Sequence, residues 1–398
     1  MNINKNSVII ISDVPIFLLN WDAGDMYIYA LESCLKFLGE NYESWWLAGI
    51  SGDAFKFVYD RDDVREPMRD RIPVDIVRLA CSSIGWEGKW YFNEKLDKVI
   101  SYIKGSLEQG YPVLTSNLGV QWYHGANIIT GINKDTNEFL LQIGREDITG
   151  SHDYERIPIP EEWDGPVPGS IIWATNPIFR LKKKIDAPNE KVTISMAINR
   201  AVEIYNKKSL PYKYHPGAQK YSTASLKDKF VKQSLSAFEE LSEEVKNTKV
   251  NWTTIWRITT QIGQLSYDRL NASKFLNYIV NKYTDYSKLE DISNLYKQTV
   301  DNANLLKRSY WDKRLDGVND FKKILEEIRK SKSFVYSISN LKLELRNQLQ
   351  KDFPIIDTLW GPAVIIDRPN RRNYNFKLTH SIYKNEIKCF NLLNRFLK

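Results

Sequence analysis

Residues 26–38 are the stretch that most constrains the fold of this chain. Their side chains leave only a thin polar stripe, because most positions are apolar: Met26, Ile28, Tyr29, Ala30, Leu31, Cys34, Leu35, Phe37 and Leu38. A helix that is apolar nearly all round is buried inside a domain. Asp25 is suited to cap its start, and Gly39 is suited to end it. The sequence therefore predicts a central buried helix that opens at Met26.

The composition predicts a soluble globular protein with room for two or three domains. The chain has 398 residues, of which 42% are hydrophobic and 26% charged. Its first apolar runs are broken by Asp13 and Pro15, so they indicate strands and not a signal peptide or a membrane span. Three scattered cysteines form no CxxC pair, which is typical of a reducing cytoplasm. The four histidines lack metal-ligand spacing, so we expect no metal and no cofactor.

The net charge of +7 conceals two oppositely charged halves. Residues 1–180 carry a net charge of −10, and residues 181–398 carry +17. A basic surface of this kind could face the acidic half, an acidic protein partner or nucleic acid. Nucleic acid is the least favoured partner, because the aromatic residues of the basic half fall at spacings suited to a helical core. No nucleic-acid-binding signature accompanies them.

The order of patterns predicts an α+β fold followed by an all-α region. Helical patterns come first, and strands are then predicted at residues 111–115, 124–131, 138–143 and 170–174. The lysine run at 182–184 and Pro188 indicate a boundary, and nearly everything after residue 192 has a helical pattern. We therefore predict a first domain over 1–180, with a buried helix on an antiparallel sheet, and a helical domain over 190–398.

Several motifs carry a resemblance to a known family. They are a helix-opening residue with Gly39 thirteen positions later, the Gly-x-Ser-Gly-x-Ala-Phe stretch at 49–55, Gly110-Tyr-Pro-Val-Leu, His124, and Ile128-Ile-Thr-Gly131. This order resembles the papain-like amino-terminal domain of the butirosin-biosynthesis acyltransferase family and, more distantly, the peptidase domains that cut bacteriocin leaders. The helical half is similar to an uncharacterised domain often fused behind that fold.

The resemblance implies a catalytic constellation from which this chain departs. In such enzymes a cysteine thiolate attacks a thioester or amide, a histidine moves the proton, and an Asp or Asn orients the histidine. Met26 stands where the nucleophile is expected, His124 matches the histidine, and Gln142 is the nearest polar candidate for the orienting position. A thioether cannot form a thiolate. The ordinary covalent mechanism is therefore in doubt.

The remaining candidate residues follow from the same resemblance. Trp21, Asp25, Trp122 and Tyr123 are expected to line the cleft together with Met26. Cys34 is an alternative nucleophile, about 12 Å farther along the same helix. A cysteine in an apolar helix is, however, usually an inert buried side chain with a raised pKa.

Two functions remain open at this point. The first is a binding or scaffold protein of a bacterial natural-product or peptide pathway, catalytically degenerate, that holds an acyl, peptide or small-molecule ligand. The second is an acyltransferase or amide-forming enzyme that uses His124 as a general base without a covalent intermediate. In the second case the basic half would dock an acidic carrier protein, guided by charge. Neither function needs a membrane partner.

Overall fold

The chain divides into two compact units whose boundaries do not follow a single cut. In the computed structural model the described residues are 8–17, 26–59, 74–91, 94–116, 126–143, 155–160, 178–207, 209–211, 230–247, 251–314, 320–330, 334–353, 355–358, 361–366 and 369–397. The first unit comprises residues 1–56 and 69–231, and the second comprises 57–68 and 232–398. The predicted domains were 1–180 and 190–398. The observed units differ from them in two places: residues 57–68 belong to the second unit, and residues 181–231 belong to the first.

An antiparallel sheet of seven strands forms the centre of the first unit. Its order is β3-β8-β4-β5-β6-β7, and β1 pairs with the far end of β5. Among the described residues, all strand pairs of this sheet are antiparallel, which confirms the α+β class. The strands are β1 Val8–Ile10, β3 Trp86–Tyr91, β4 Val113–Ser116, β5 Ala126–Asn133, β6 Glu138–Ile143, β7 Glu155–Pro158 and β8 Ile178–Lys184. A further short strand, β9, spans Ser209–Pro211.

The predicted buried helix is present and packs on this sheet. The helices of the first unit are α1 Met26–Phe37, α2 Ser44–Ser51, α3 Val74–Ser83, α4 Leu96–Leu107 and α5 Glu190–Asn206, with a 3-10 turn at Asp53–Phe55. Gly39 ends α1 in the left-handed region at φ +80°, and the next amide donates back to the Leu35 carbonyl at 2.9 Å. The predicted stop at Gly39 is therefore confirmed.

The lysine run at 182–184 is not a linker but the end of a strand. It closes β8, where Lys182 and Lys183 both reach Glu87 on neighbouring β3, at 3.5 and 3.7 Å. Exposed lysines on a strand look like a linker in sequence, which explains the misplaced boundary. The strand predicted at 170–174 lies outside the described residues.

The second unit is mainly helical but not all-α. Its helices are α6 Leu235–Asn247, α7 Trp252–Lys282, α8 Glu290–Tyr310, α9 Phe321–Lys330, α10 Leu343–Asp352 and α11 Pro369–Phe396, with a 3-10 helix at Thr284–Leu289. A small sheet of order β11-β12-β14-β13 is formed by Trp311–Arg314, Val335–Ser337, Gly361–Ile365 and Ile355–Thr358. The all-α prediction is corrected here. Strands this short carry too few alternating positions to stand out in sequence.

Four helices surround the main core of the second unit. Helices α7 and α8 run antiparallel, with the Ser273 and Ser293 hydroxyls 2.9 Å apart, and α11 packs on α8, where Asn302 donates to Ser381 at 3.2 Å. Helix α6 packs on α11. The two-residue strand β2, Val58–Tyr59, pairs with β10, Phe230–Gln233. Phe57, next to β2, stacks on Phe238 of α6 with ring centroids 4.3 Å apart.

Within the described residues, no helix combines the length and the apolar character that crossing a lipid bilayer requires.

Candidate functional site

The first turn of α1 lies over one row of side chains on the first unit's sheet. Tyr27, the second residue of α1, makes an edge-to-face contact with Trp90 of β3 at 5.5 Å between ring centroids. Trp90 in turn contacts its cross-strand partner Phe179 at 5.0 Å. Met26, beside Tyr27, is only 5% exposed. The helix start is therefore fixed against the β3–β8 part of the sheet.

Gln142 belongs to the same row and the same face of the sheet. Directly paired residues of neighbouring strands point to the same side. Phe179 pairs with Leu114, Leu114 with Ile128, and Ile128 with Gln142. Gln142 is thus three strands, about 14 Å, from Phe179 along this row. The structure places the predicted orienting residue on the face of the sheet that α1 covers.

The Gln142 side chain has unused hydrogen-bonding capacity. It is 2% exposed, and its Oε1 has no hydrogen-bond partner among the described residues. A buried acceptor left without a donor is costly, so this oxygen is available to a donor from water, a ligand or another side chain. Gln142 pairs with Ile128 of β5. In sequence, Ile128 is four residues after His124, the residue that Gln142 is predicted to orient.

His124, Trp21, Asp25, Trp122 and Tyr123 lie outside the described residues. The proximity of Met26 and His124 therefore remains a prediction.

None of the three thiols of the chain has the surroundings of a nucleophile. Cys34, Cys81 and Cys389 are all fully buried. Burial raises the pKa of Cys34, and the nearby Cys81 adds to this effect. Burial also raises the pKa of the Cys81 and Cys389 thiols. The thiolate is the reactive form of cysteine. A raised pKa therefore makes all three thiols unreactive, which agrees with the prediction that Cys34 is an inert buried side chain and not a nucleophile.

Among the described residues, no group of three His, Cys, Asp or Glu side chains is arranged to hold a metal ion. Neither a family model nor a curated protein matches this sequence.

The second unit contains a group of buried charges that the sequence patterns do not predict. Glu244 of α6 accepts hydrogen bonds from the Tyr59 hydroxyl and from the Arg257 guanidinium of α7. Glu244 is fully buried, and Tyr59 is as well. One sequence feature could have indicated this group: Glu244 is an acidic residue at a core position of α6, one turn from the buried Leu241. Residues 59 and 244 are too far apart in sequence for their pairing to be read from a pattern.

Proposed function

We propose that this chain is a non-covalent binding protein whose first unit has a papain-like fold with Met26 at the position of the nucleophile. Three features support this proposal: a buried helix that opens at Met26, an antiparallel sheet beneath it, and Gln142 on the covered face. The ligand class that the resemblance suggests is an acyl, peptide or small-molecule group from a natural-product or peptide pathway. In this role the chain holds its ligand without forming a covalent bond to it.

The state of the thiols is the observation that carries this proposal. A papain-type reaction needs a thiolate that the substrate can reach. All three cysteines are buried with raised pKa values, and the first turn of α1 presents a thioether instead of a thiol. A methionine sulfur has no proton to lose and is a poor nucleophile toward an acyl group. Binding without acyl transfer to the protein is the consequence.

One observation favours a second function, amide formation without a covalent intermediate. The Gln142 Oε1, which has no hydrogen-bond partner among the described residues, could accept a hydrogen bond from an imidazole or from a bound amine. His124 would then act as the general base that removes a proton from the amine as the amine attacks the thioester carbonyl. The basic charge of residues 181–398 suits an acidic carrier protein as the donor.

A thioester assay separates the two functions. The full chain is mixed with an acyl-pantetheine thioester and a primary amine, and product formation and intact protein mass are followed. We expect no acylated protein and no turnover above the uncatalysed rate, with equal thioester binding by the chain and by His124→Ala. Turnover that falls by 100-fold or more in His124→Ala, as expected for loss of a general base, would establish the second function instead. A protein adduct of acyl mass would contradict both.

A further inference from the structure

The helix bundle of the second unit contains an unusual concentration of buried polar atoms without partners. In the described parts of α6, α7, α8 and α11, the buried side-chain atoms without a hydrogen-bond partner among the described residues include Ser242 Oγ, Arg257 Nε, Gln261 Oε1, Thr299 Oγ1, Asn375 Oδ1, Asn375 Nδ2 and Asn385 Nδ2. A buried polar atom is nearly always satisfied by protein or by ordered water. The free-energy cost of seven such atoms would be comparable to the whole stability of a domain. We therefore look for their hydrogen-bond partners among groups other than the described side chains.

Three of these residues lie in one layer of the bundle. Arg257 and Gln261 are one turn apart on the same side of α7. The bond between Arg257 and Glu244 brings the last turns of α6 to this level. Lys246, half a turn beyond Glu244, lies 5.3 Å from the Phe376 ring. The neighbouring Asn375 of α11, fully buried, therefore lies within about one helical turn of Glu244 along the bundle axis.

The charges of Glu244 and Arg257 match each other. The Glu244 carboxylate is matched by the Arg257 guanidinium, and burial raises the pKa of Tyr59 far enough that its phenol stays neutral. What remains unused is a mixture of donors and acceptors: the Arg257 Nε–H, the Gln261 carbonyl oxygen, and both ends of the Asn375 amide. A guest that both donates and accepts hydrogen bonds suits this mixture.

We propose that the layer formed by Arg257, Gln261 and Asn375 is an internal site for a small uncharged guest that both donates and accepts hydrogen bonds. Ordered water has this chemistry, and so do a small polyol and a primary amide. A single water typically makes two to four hydrogen bonds in a protein interior, which suits the three residues that line the layer. Helices α7 and α11 both pack on α8, and the Arg269–Glu386 ion pair spans the distance between them about two turns beyond Gln261 and three turns beyond Asn375.

The substitution Asn375→Leu in the full chain tests this site. Leucine has the same branched skeleton of four side-chain heavy atoms as asparagine, although it is bulkier, and it cannot form a hydrogen bond to a guest. If a guest is held by Asn375, its bonds are lost, and we expect the midpoint of thermal unfolding to fall by about 3 °C or more. A midpoint that stays or rises would overturn the proposal, because leucine would then only have removed unsatisfied atoms. The matched control is Thr379→Val, one turn on, whose hydroxyl donates to the Phe376 carbonyl of its own helix at 2.9 Å.

The unfolding midpoint of Asn375→Leu could also change because the core repacks around leucine. A crystal structure tests the site independently of that effect. We expect a crystal structure of the full chain at high resolution to show density within hydrogen-bond distance of both Gln261 and Asn375. Single-atom peaks, and no change in melting with added glycerol or acetamide, would identify water. Continuous density, together with a small molecule released on denaturation, would identify an organic guest. A layer without density would overturn the proposal whatever the effect of Asn375→Leu.

Discussion

Arg269→Leu is expected to lower the free energy of unfolding by about 3–5 kcal/mol, and Glu386→Leu by a similar amount. Arg269 Nε and Nη2 bond Glu386 Oε1 and Oε2 at 2.7 and 3.0 Å, and both side chains are completely buried. The Tyr296 ring lies 5.4 Å from the guanidinium. Removing either partner leaves the other charge in the core without compensation. Urea unfolding of each variant measures the loss.

The double variant decides whether the loss comes from the unpaired charge. Replacing both residues with leucine removes both charges, so we expect it to recover most of the stability lost in either single variant. The control is Lys330→Ala, which breaks the exposed Lys330–Glu326 pair and should leave the unfolding midpoint unchanged. A double variant as unstable as the sum of the two single ones would show that lost packing, and not an isolated charge, is the cause.

Phe57→Ala is expected to destabilise the second unit by about 3–5 kcal/mol, although residue 57 falls within the predicted first domain. Phe57 is buried in the core formed by α6, α7, α8 and α11, where it stacks on Phe238. Its carbonyl also accepts a hydrogen bond from the Ser234 amide at 2.8 Å. Amide hydrogen exchange, read element by element, should show the largest loss of protection in α6 and α7.

Phe55→Ala is the matched control for this prediction. Phe55 is buried as completely as Phe57 and is only two residues earlier, but it belongs to the first unit. Its substitution should reduce protection mainly in the first unit, including α2 and α3. If both variants lost protection in the same elements, the assignment of residues 57–68 to the second unit would be wrong.

Local patterns explain the part of the fold that the sequence could predict. Helix α1 was predictable because the apolar residues that bury it and the glycine that ends it, Gly39, lie within a few helical turns of one another in sequence. The β5–β6 hairpin was predictable for the same reason, since its strands are joined by a short polar turn that includes Asn137 in the left-handed region. Strand β6 has the bounds that the pattern indicates, Glu138–Ile143.

Long-range pairing explains what the sequence did not disclose. Strand β3 pairs with β8, although α4 and the strands β4 to β7 lie between them in sequence. Gly88 of β3 looks like a strand breaker, yet a Cβ there would lie 2.2 Å from the Phe179 ring, so the close packing requires glycine. The Arg269–Glu386 pair spans 117 residues. For the candidate site, the sequence supplied Met26 and Gln142, and only the strand register shows that Gln142 lies on the face covered by α1.

The substitution Met26→Cys tests most directly whether α1 opens on a groove that contains His124. The rate of alkylation by iodoacetamide at position 26 is measured against pH by mass spectrometry, with buried Cys34 as an internal reference. A thiol at a helix N-terminus beside an imidazole should have a pKa at least about 1 unit below the ordinary value of about 8.5, and His124→Ala in the same chain should raise it again. A cysteine at position 26 whose pKa is ordinary or higher, and which does not respond to His124→Ala, would contradict the papain-like arrangement.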